Sequence, residues 1–129
     1  MSGNRYLLDT NAIIQLLAGN GEIGRMLDFS DFVAMSVVSE FEFLAYSELD
    51  KADMTEYMAF RSCLRVFDVP SANPLFTRHV IEARKIFKLK LPDAIIAATA
   101  RANDLTILTA DDHFKPLTEP WRVKFYTPA

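Results

Sequence analysis

A chain of 129 residues has the length of one domain. Half of it is hydrophobic and only 4 residues are glycine, which excludes a disordered or low-complexity chain. The formal net charge of −3 argues against nonspecific duplex binding through a basic face, and a single cysteine excludes an internal disulfide.

No uninterrupted apolar run reaches the roughly 18 residues of a membrane span. Asp9, Asn11 and Gln15 interrupt the N-terminal apolar stretch, so a signal peptide is not expected. Cys63 lies among apolar residues and is expected in the core. These features fit a cytoplasmic protein with no membrane association. Without a repeat or linker, the chain reads as one domain over 1–129.

In chain order, residues 5–8 form a short apolar run, expected as a buried first strand. Residues 11–17 make a short helix, stopped by Gly19-Asn20-Gly21, and 22–28 make a second. Residues 32–35 are the second strand. Ser39-Glu40-Phe41-Glu42 matches a capping box and predicts a helix from Ser39 to about Ser47. Residues 54–62 are helical. Residues 64–69 form a third strand, closed by Pro70. An amphipathic helix covers 75–87, with Val80, Ala83 and Phe87 at helical spacing. Pro92 suits the first position of a helix running to about Asn103. Residues 106–109 are a fourth strand, and 121–125 a half-buried fifth. Strands alternating with helices predict a mostly parallel sheet of about five strands covered on both faces, a three-layer α/β/α domain.

Four acidic residues stand at the ends of apolar segments: Asp9, Glu42, Asp93 and Asp111. In an open α/β sheet such positions gather in a crevice at the carboxyl ends of the strands. Singly, each has a plain structural explanation. Asp9 or Asn11 caps a helix, Glu42 completes the capping box, Asp93 complements a helix dipole, and Asp111 makes a turn. Gathered, four carboxylates repel one another unless a cation lies between them. Oxygen-only ligands suit Mg2+ or Mn2+, and the chemistry such a site supports is metal-assisted phosphodiester hydrolysis. Thr10, Asn11, Ser36, Thr109 and Asp112 are small polar residues placed to hydrogen-bond and orient these acids. His79 and His113 are isolated and lack zinc-site spacing. Arg84, Lys85, Lys88 and Lys90 precede Asp93 and are either a solvated face or phosphate contacts for RNA.

Four segments carry a family resemblance: Leu7-Leu8-Asp9-Thr10-Asn11, residues 36–42, residues 91–100 with Asp-Ala-Ile-Ile-Ala-Ala-Thr-Ala, and Leu108-Thr109-Ala110-Asp111. Together they resemble the signature segments of PIN-domain proteins, most closely the VapC-type toxins of toxin–antitoxin pairs. The resemblance implies an α/β/α domain with an acidic pocket and metal-dependent endoribonuclease activity. It carries the catalytic acids to Asp9, Glu42, Asp93 and Asp111, with Asp9, Asp93 and Asp111 on the metal. Glu40 competes with Glu42 for the second position. Where many relatives have an acid directly before the phenylalanine, this chain has His113 before Phe114, and Asp112 is a partial stand-in. The resemblance also implies a homodimer and a VapB-like antitoxin. The bulky residues Phe41, Phe43, Tyr46, Tyr57, Met58 and Phe60 divide between core and a partner-binding patch.

Two other functions compete. A non-catalytic PIN-like interaction module would keep the fold and lose acids. A Mg-dependent aspartyl phosphotransfer domain of the haloacid-dehalogenase type wants a second aspartate where this chain has Asn11.

Overall fold

Leu7 and Ile107 point to one side of a sheet, while Tyr6, Leu8 and Leu108 point to the other. This period-two alternation lets one sheet close two hydrophobic cores. The computed structural model describes residues 4–46 and 48–129. The strands are β1 (Arg5–Leu8), β2 (Phe32–Ser36), β3 (Arg65–Phe67), β4 (Thr106–Thr109) and β5 (Arg122–Phe125). The helices are α1 (Thr10–Leu17), α2 (Gly21–Asp28), α3 (Val37–Tyr46), α4 (Lys51–Arg61), α5 (Pro74–Lys85) and α6 (Leu91–Ala102). The sheet order is β3-β2-β1-β4-β5, and all four pairings are parallel.

One core joins the sheet to α5 and α6 through Ala83, Leu89, Ala94, Ile96, Ala97 and Ala100. The small residues of α6 let it lie close on the sheet. The second core joins the other face to α1–α4 through Ala12, Ile13, Ile23, Phe43 and Tyr57. The expected three-layer α/β/α architecture with five strands is present.

Some local expectations are corrected. Helix α3 starts at Val37, not at Ser39. Ser36 does the capping, accepting a 3.1 Å hydrogen bond from the Val38 N–H. Ser39 lies inside the helix, and its hydroxyl has no partner among the described residues. The predicted box at Ser39 and Glu42 therefore does not form. A true capping box opens α4, between Asp50 and Asp53. The predicted end of α3 at Ser47 lies outside the described residues. Strand β3 is shorter than predicted, and Cys63 is exposed rather than in the core. Cys63 falls in the turn between α4 and β3, where the chain runs over the surface. Among the described residues no helix is long and apolar enough to cross a membrane.

The sheet order fixes where a site can be. From β1 the chain crosses to β2 on one side, while β4 lies against β1 on the other. The carboxyl ends of β1 and β4 thus flank the point where connections diverge and leave a crevice. Asp9 follows β1, and Asp111 lies just beyond β4.

Candidate active site

Asp9, Glu42, Asp93 and Asp111 line one cleft of about 370 Å³ with Thr10, Asn11, Ile14 and Tyr46. A larger groove of about 680 Å³ opens at the opposite edge of the sheet, beside Phe32 and Arg65. Its walls include Leu16, Leu27, Val33, Phe60 and Leu64, and it gathers no comparable set of acids.

Asp9 is the fixed point of the cleft. It is the N-cap of α1, with Oδ1 accepting a 2.8 Å hydrogen bond from the Ala12 N–H. Oδ2 accepts from the Thr109 hydroxyl. Thr109 Oγ1 in turn accepts from the Asp111 N–H at 2.9 Å, so the chain past β4 is tied to the acid past β1. Asp9 is only 5% exposed. Burial pushes its carboxyl pKa up to about 6, the two hydrogen bonds pull it down, and the charges of Asp111 and Asp93 raise it further. The same burial and the neighbouring Asp9 charge push the Tyr126 phenol up.

Asp93 lies in the first turn of α6 behind Pro92. Its carboxylate receives no hydrogen bond among the described residues. Its pKa is raised, first by burial and then by Asp111 and Glu42, against the smaller opposing effects of His113 and Lys90. Asp111 caps the 3-10 turn Asp112–Phe114 by accepting from the His113 N–H at 2.8 Å. The His113 Nδ1 also lies 2.8 Å from Asp111 Oδ1. The residue that departs from the family pattern is thus part of the cleft's rim.

Glu42 projects from α3 and is held by the Thr10 hydroxyl at 2.5 Å. Glu40, its competitor, faces away. Arg61 of α4 binds the Glu40 carboxylate through Nε and Nη2, and the buried Tyr57 hydroxyl donates to it at 2.9 Å. Arg61 holds the Glu40 pKa below its ordinary value. Glu40 is a tie between α3 and α4, and Glu42 is the acid in the cleft.

The other predicted residues divide. Thr10 and Thr109 orient acids, and Asn11 lines the cleft. Ser36 is buried and starts α3, so it acts on Glu42 only through the helix. Asp112 points elsewhere and pairs with Lys115 at 3.1 Å. Of the basic group, Lys90 acts electrostatically on Asp93. Arg84 reaches the Leu89 carbonyl at 3.5 Å, and with Lys85 it borders a separate apolar cavity. Lys88 turns the chain in the left-handed region at φ 62°. His79 is buried edge-on against Trp121, with ring centroids 5.8 Å apart. Ile14 and Tyr46 line the cleft without having been expected there. The one-turn spacings Thr10–Ile14 and Glu42–Tyr46 were the available signal.

The donor chemistry fits a hard divalent cation. The lining offers four carboxylates, and Asp9 and Asp93 are each destabilised as anions by their acidic neighbours. Among the described residues, no three acidic, histidine or cysteine side chains stand close enough to hold one ion directly. Magnesium keeps several of its waters and takes only one or two direct carboxylates.

Comparisons with known proteins agree with the α/β/α fold. The sequence model of the PIN domain matches residues 6–119. A toxin–antitoxin complex from Klebsiella pneumoniae contains a chain 27% identical, with a TM-score of 0.73, covering 96% of this chain and 98% of that one. DNA-bound VapBC from Salmonella typhimurium gives 18% identity and a TM-score of 0.74 over 94% and 97% of the two chains. VapBC2 from Rickettsia felis, bound to a promoter DNA fragment, gives 16% and 0.73 over 95% and 98%. A search of curated proteins gave no match. With the family's sequence model spanning β1 to the approach of β5, the chain belongs to the PIN-domain family.

Proposed function

We propose that this chain is a metal-dependent endoribonuclease and the toxin of a toxin–antitoxin pair. The observation that carries the proposal is the cleft itself: four carboxylates at the sheet's switch point, one of them buried with its pKa near 6. A lone structural carboxylate is seldom held at such cost, whereas perturbed acids gathered in a cleft are the mark of a functional site.

Asp9, Asp93 and Asp111 would hold Mg2+ or Mn2+, one or two of them directly and the rest through the ion's waters, with Glu42 beside them. A cation held there supplies polarisation of a phosphoryl oxygen and a water of lowered pKa. Thr109 and the Ala12 N–H fix the Asp9 carboxylate before any ligand arrives. Thr10 occupies Glu42 Oε1 and leaves Oε2 to orient a water for in-line attack. Lys90, whose charge reaches Asp93, would meet a phosphate.

The toxin role is supported by the likeness to chains from toxin–antitoxin complexes. Exposed Phe41, Leu44 and Met58 on α3 and α4 offer apolar surface for a VapB-like antitoxin or a second copy. Such a protein works in the cytoplasm, beside its RNA. The deciding test is cleavage of RNA by the purified chain with magnesium or manganese. Activity should disappear in EDTA and in Asp9→Asn, Asp93→Asn and Asp111→Asn. Full cleavage in excess EDTA, in a preparation free of contaminating nuclease, would sink the metal mechanism. Expression alone should slow growth, and co-expression of a neighbouring small antitoxin reading frame should restore it. Unimpaired growth with soluble, active protein would refute the toxin role.

A further inference from the structure

Above the acids the cleft changes character. Thr10 and Ile14 lie one turn apart on α1, and Glu42 and Tyr46 lie one turn apart on α3, so each pair shares a helix face. The lower rung is polar, with Thr10 donating to Glu42 at 2.5 Å. The upper rung is Ile14 and Tyr46, lining the same cavity as the four acids. Tyr46 is 68% exposed, whereas Tyr6, Tyr57 and Tyr126 are buried. No aromatic neighbour stacks on the Tyr46 ring among the described residues, although Phe43 and Tyr57 of the adjoining core stack at 4.7 Å. An exposed aromatic face at the mouth of an acidic cleft contributes little to folding.

We infer that Tyr46, backed by Ile14, is a platform on which a nucleobase of the RNA substrate stacks. The inference rests on the nuclease reading above. Side chains one helical turn apart stand roughly 5–6 Å apart at their Cβ atoms. A phosphate over the acids therefore puts a neighbouring base within reach of the Tyr46 ring. In a duplex both faces of each base are already stacked, and the ring has nothing to meet. In a single strand the base is free to lie on it. The platform also answers an electrostatic difficulty. The cleft lining is anionic and the chain carries −3, so a basic groove does not supply the affinity. Stacking supplies attraction that does not depend on charge. Every base has a π-face, so the platform tolerates different sequences.

The test uses the full chain and a mixed-sequence single-stranded oligoribonucleotide in magnesium. Tyr46→Ala should raise KM by about 5- to 150-fold, the range of one lost base–aromatic stack, with a smaller change in kcat. Tyr46→Phe and Tyr46→Trp should stay within about threefold of wild type, since the ring face and not the hydroxyl makes the contact. Removing single bases around the cut should reveal one abasic position that costs wild type the same factor. That position should cost Tyr46→Ala nothing more, because the pair is already broken. Fluorescence anisotropy in the Asp93→Asn background should show the same ranking without cleavage, and a fully paired duplex should be a poor ligand and substrate. Equal binding by Tyr46→Ala and the parent overturns the platform and leaves the ring as a protein-contact residue. Equal losses in Tyr46→Phe and Tyr46→Ala, or no preference for the single strand, also overturn it. A wild type that cuts no RNA strikes the nuclease reading instead, and the anisotropy ranking still judges the platform.

Discussion

Replacing Asp9 by asparagine should stabilise the metal-free protein at neutral pH. Asp9 is charged there, against a folded pKa near 6 and an ordinary value of 3.8. Maintaining that charge in the fold costs about 3 kcal/mol, since each pH unit of displacement is about 1.4 kcal/mol. Asparagine keeps the neutral part of the site. It is as good an N-cap as aspartate, so its Oδ1 can still accept from Ala12 N–H. Its amide can donate to Thr109 Oγ1 once that hydroxyl rotates. For a domain of this size, about 3 kcal/mol corresponds to roughly 10 °C in Tm.

The sign of the pH dependence follows from the raised pKa. Below the unfolded value of 3.8, Asp9 is protonated in both states and imposes no penalty. As pH rises through about 6, the unfolded carboxyl ionises more readily than the folded one, and stability is lost. Thermal melts of the two proteins in EDTA should therefore coincide near pH 3.5 and separate progressively up to pH 7. Magnesium should nearly close the gap. At about 100 times its dissociation constant a ligand adds about 2.7 kcal/mol to a folded state that alone binds it, and the asparagine variant forgoes most of that gain. Parallel pH–stability curves in EDTA, or a less stable variant at neutral pH, would refute the reasoning and make Asp9 an ordinary cap.

Thr109→Val removes the hydroxyl that pulls the Asp9 pKa down, so the Asp9 carboxyl should titrate about one to two pH units higher by NMR. An unchanged titration midpoint would remove Thr109 from the site. Glu42→Gln should abolish RNA cleavage and leave Tm nearly unchanged, because its contact is a single hydrogen bond at the cleft. Glu40→Gln should do the opposite, lowering Tm while folded molecules keep their activity, because Glu40 ties Arg61 and Tyr57 to α3. The reverse assignment in parallel melts and cleavage assays would exchange the two residues. Manganese should restore cleavage after EDTA treatment and zinc should not, as expected for an oxygen-only ligand set.

The strand order was the part of the fold least legible in the sequence. Alternating strands and helices predict a parallel sheet, and five strands are present. Nothing local to residues 5–8 says that β1 lies between β2 and β4, because that follows from which side of the sheet each helix crosses. Helix starts were legible only where capping chemistry was unambiguous. Ser39 and Glu42 fit the capping pattern, yet Ser36 three residues earlier ends a buried strand and takes the role first. Cys63 is exposed because it lies in the turn between α4 and β3, while most of its apolar neighbours sit in the two elements on either side. The choice of Glu42 over Glu40 became a matter of contacts once α4 was in position, since only Arg61 and Tyr57 explain what Glu40 does. Tyr46 was visible as an aromatic, but its direction depends on how α3 packs against α1.

The plain and the functional accounts of these acids turn out not to be rivals. Asp9 does cap α1, and Asp111 does cap the turn before Phe114. A capping carboxylate is bound through one or two lone pairs and held in a single orientation, with further lone pairs still available. Capping therefore fixes the acid without using it up. The cost appears elsewhere, in the raised pKa values of Asp9 and Asp93, first because these carboxylates are buried and then because like charges share the same edge. Hydrogen bonds from Ala12 and Thr109 offset only part of that cost. A fold that holds its acids this way is less stable without a cation than its packing alone would allow. Stability and metal binding are then two readouts of one quantity, the free energy of bringing these carboxylates together. A substitution that relieves the first should weaken the second, and only residues whose carboxylates face the cleft should show both effects.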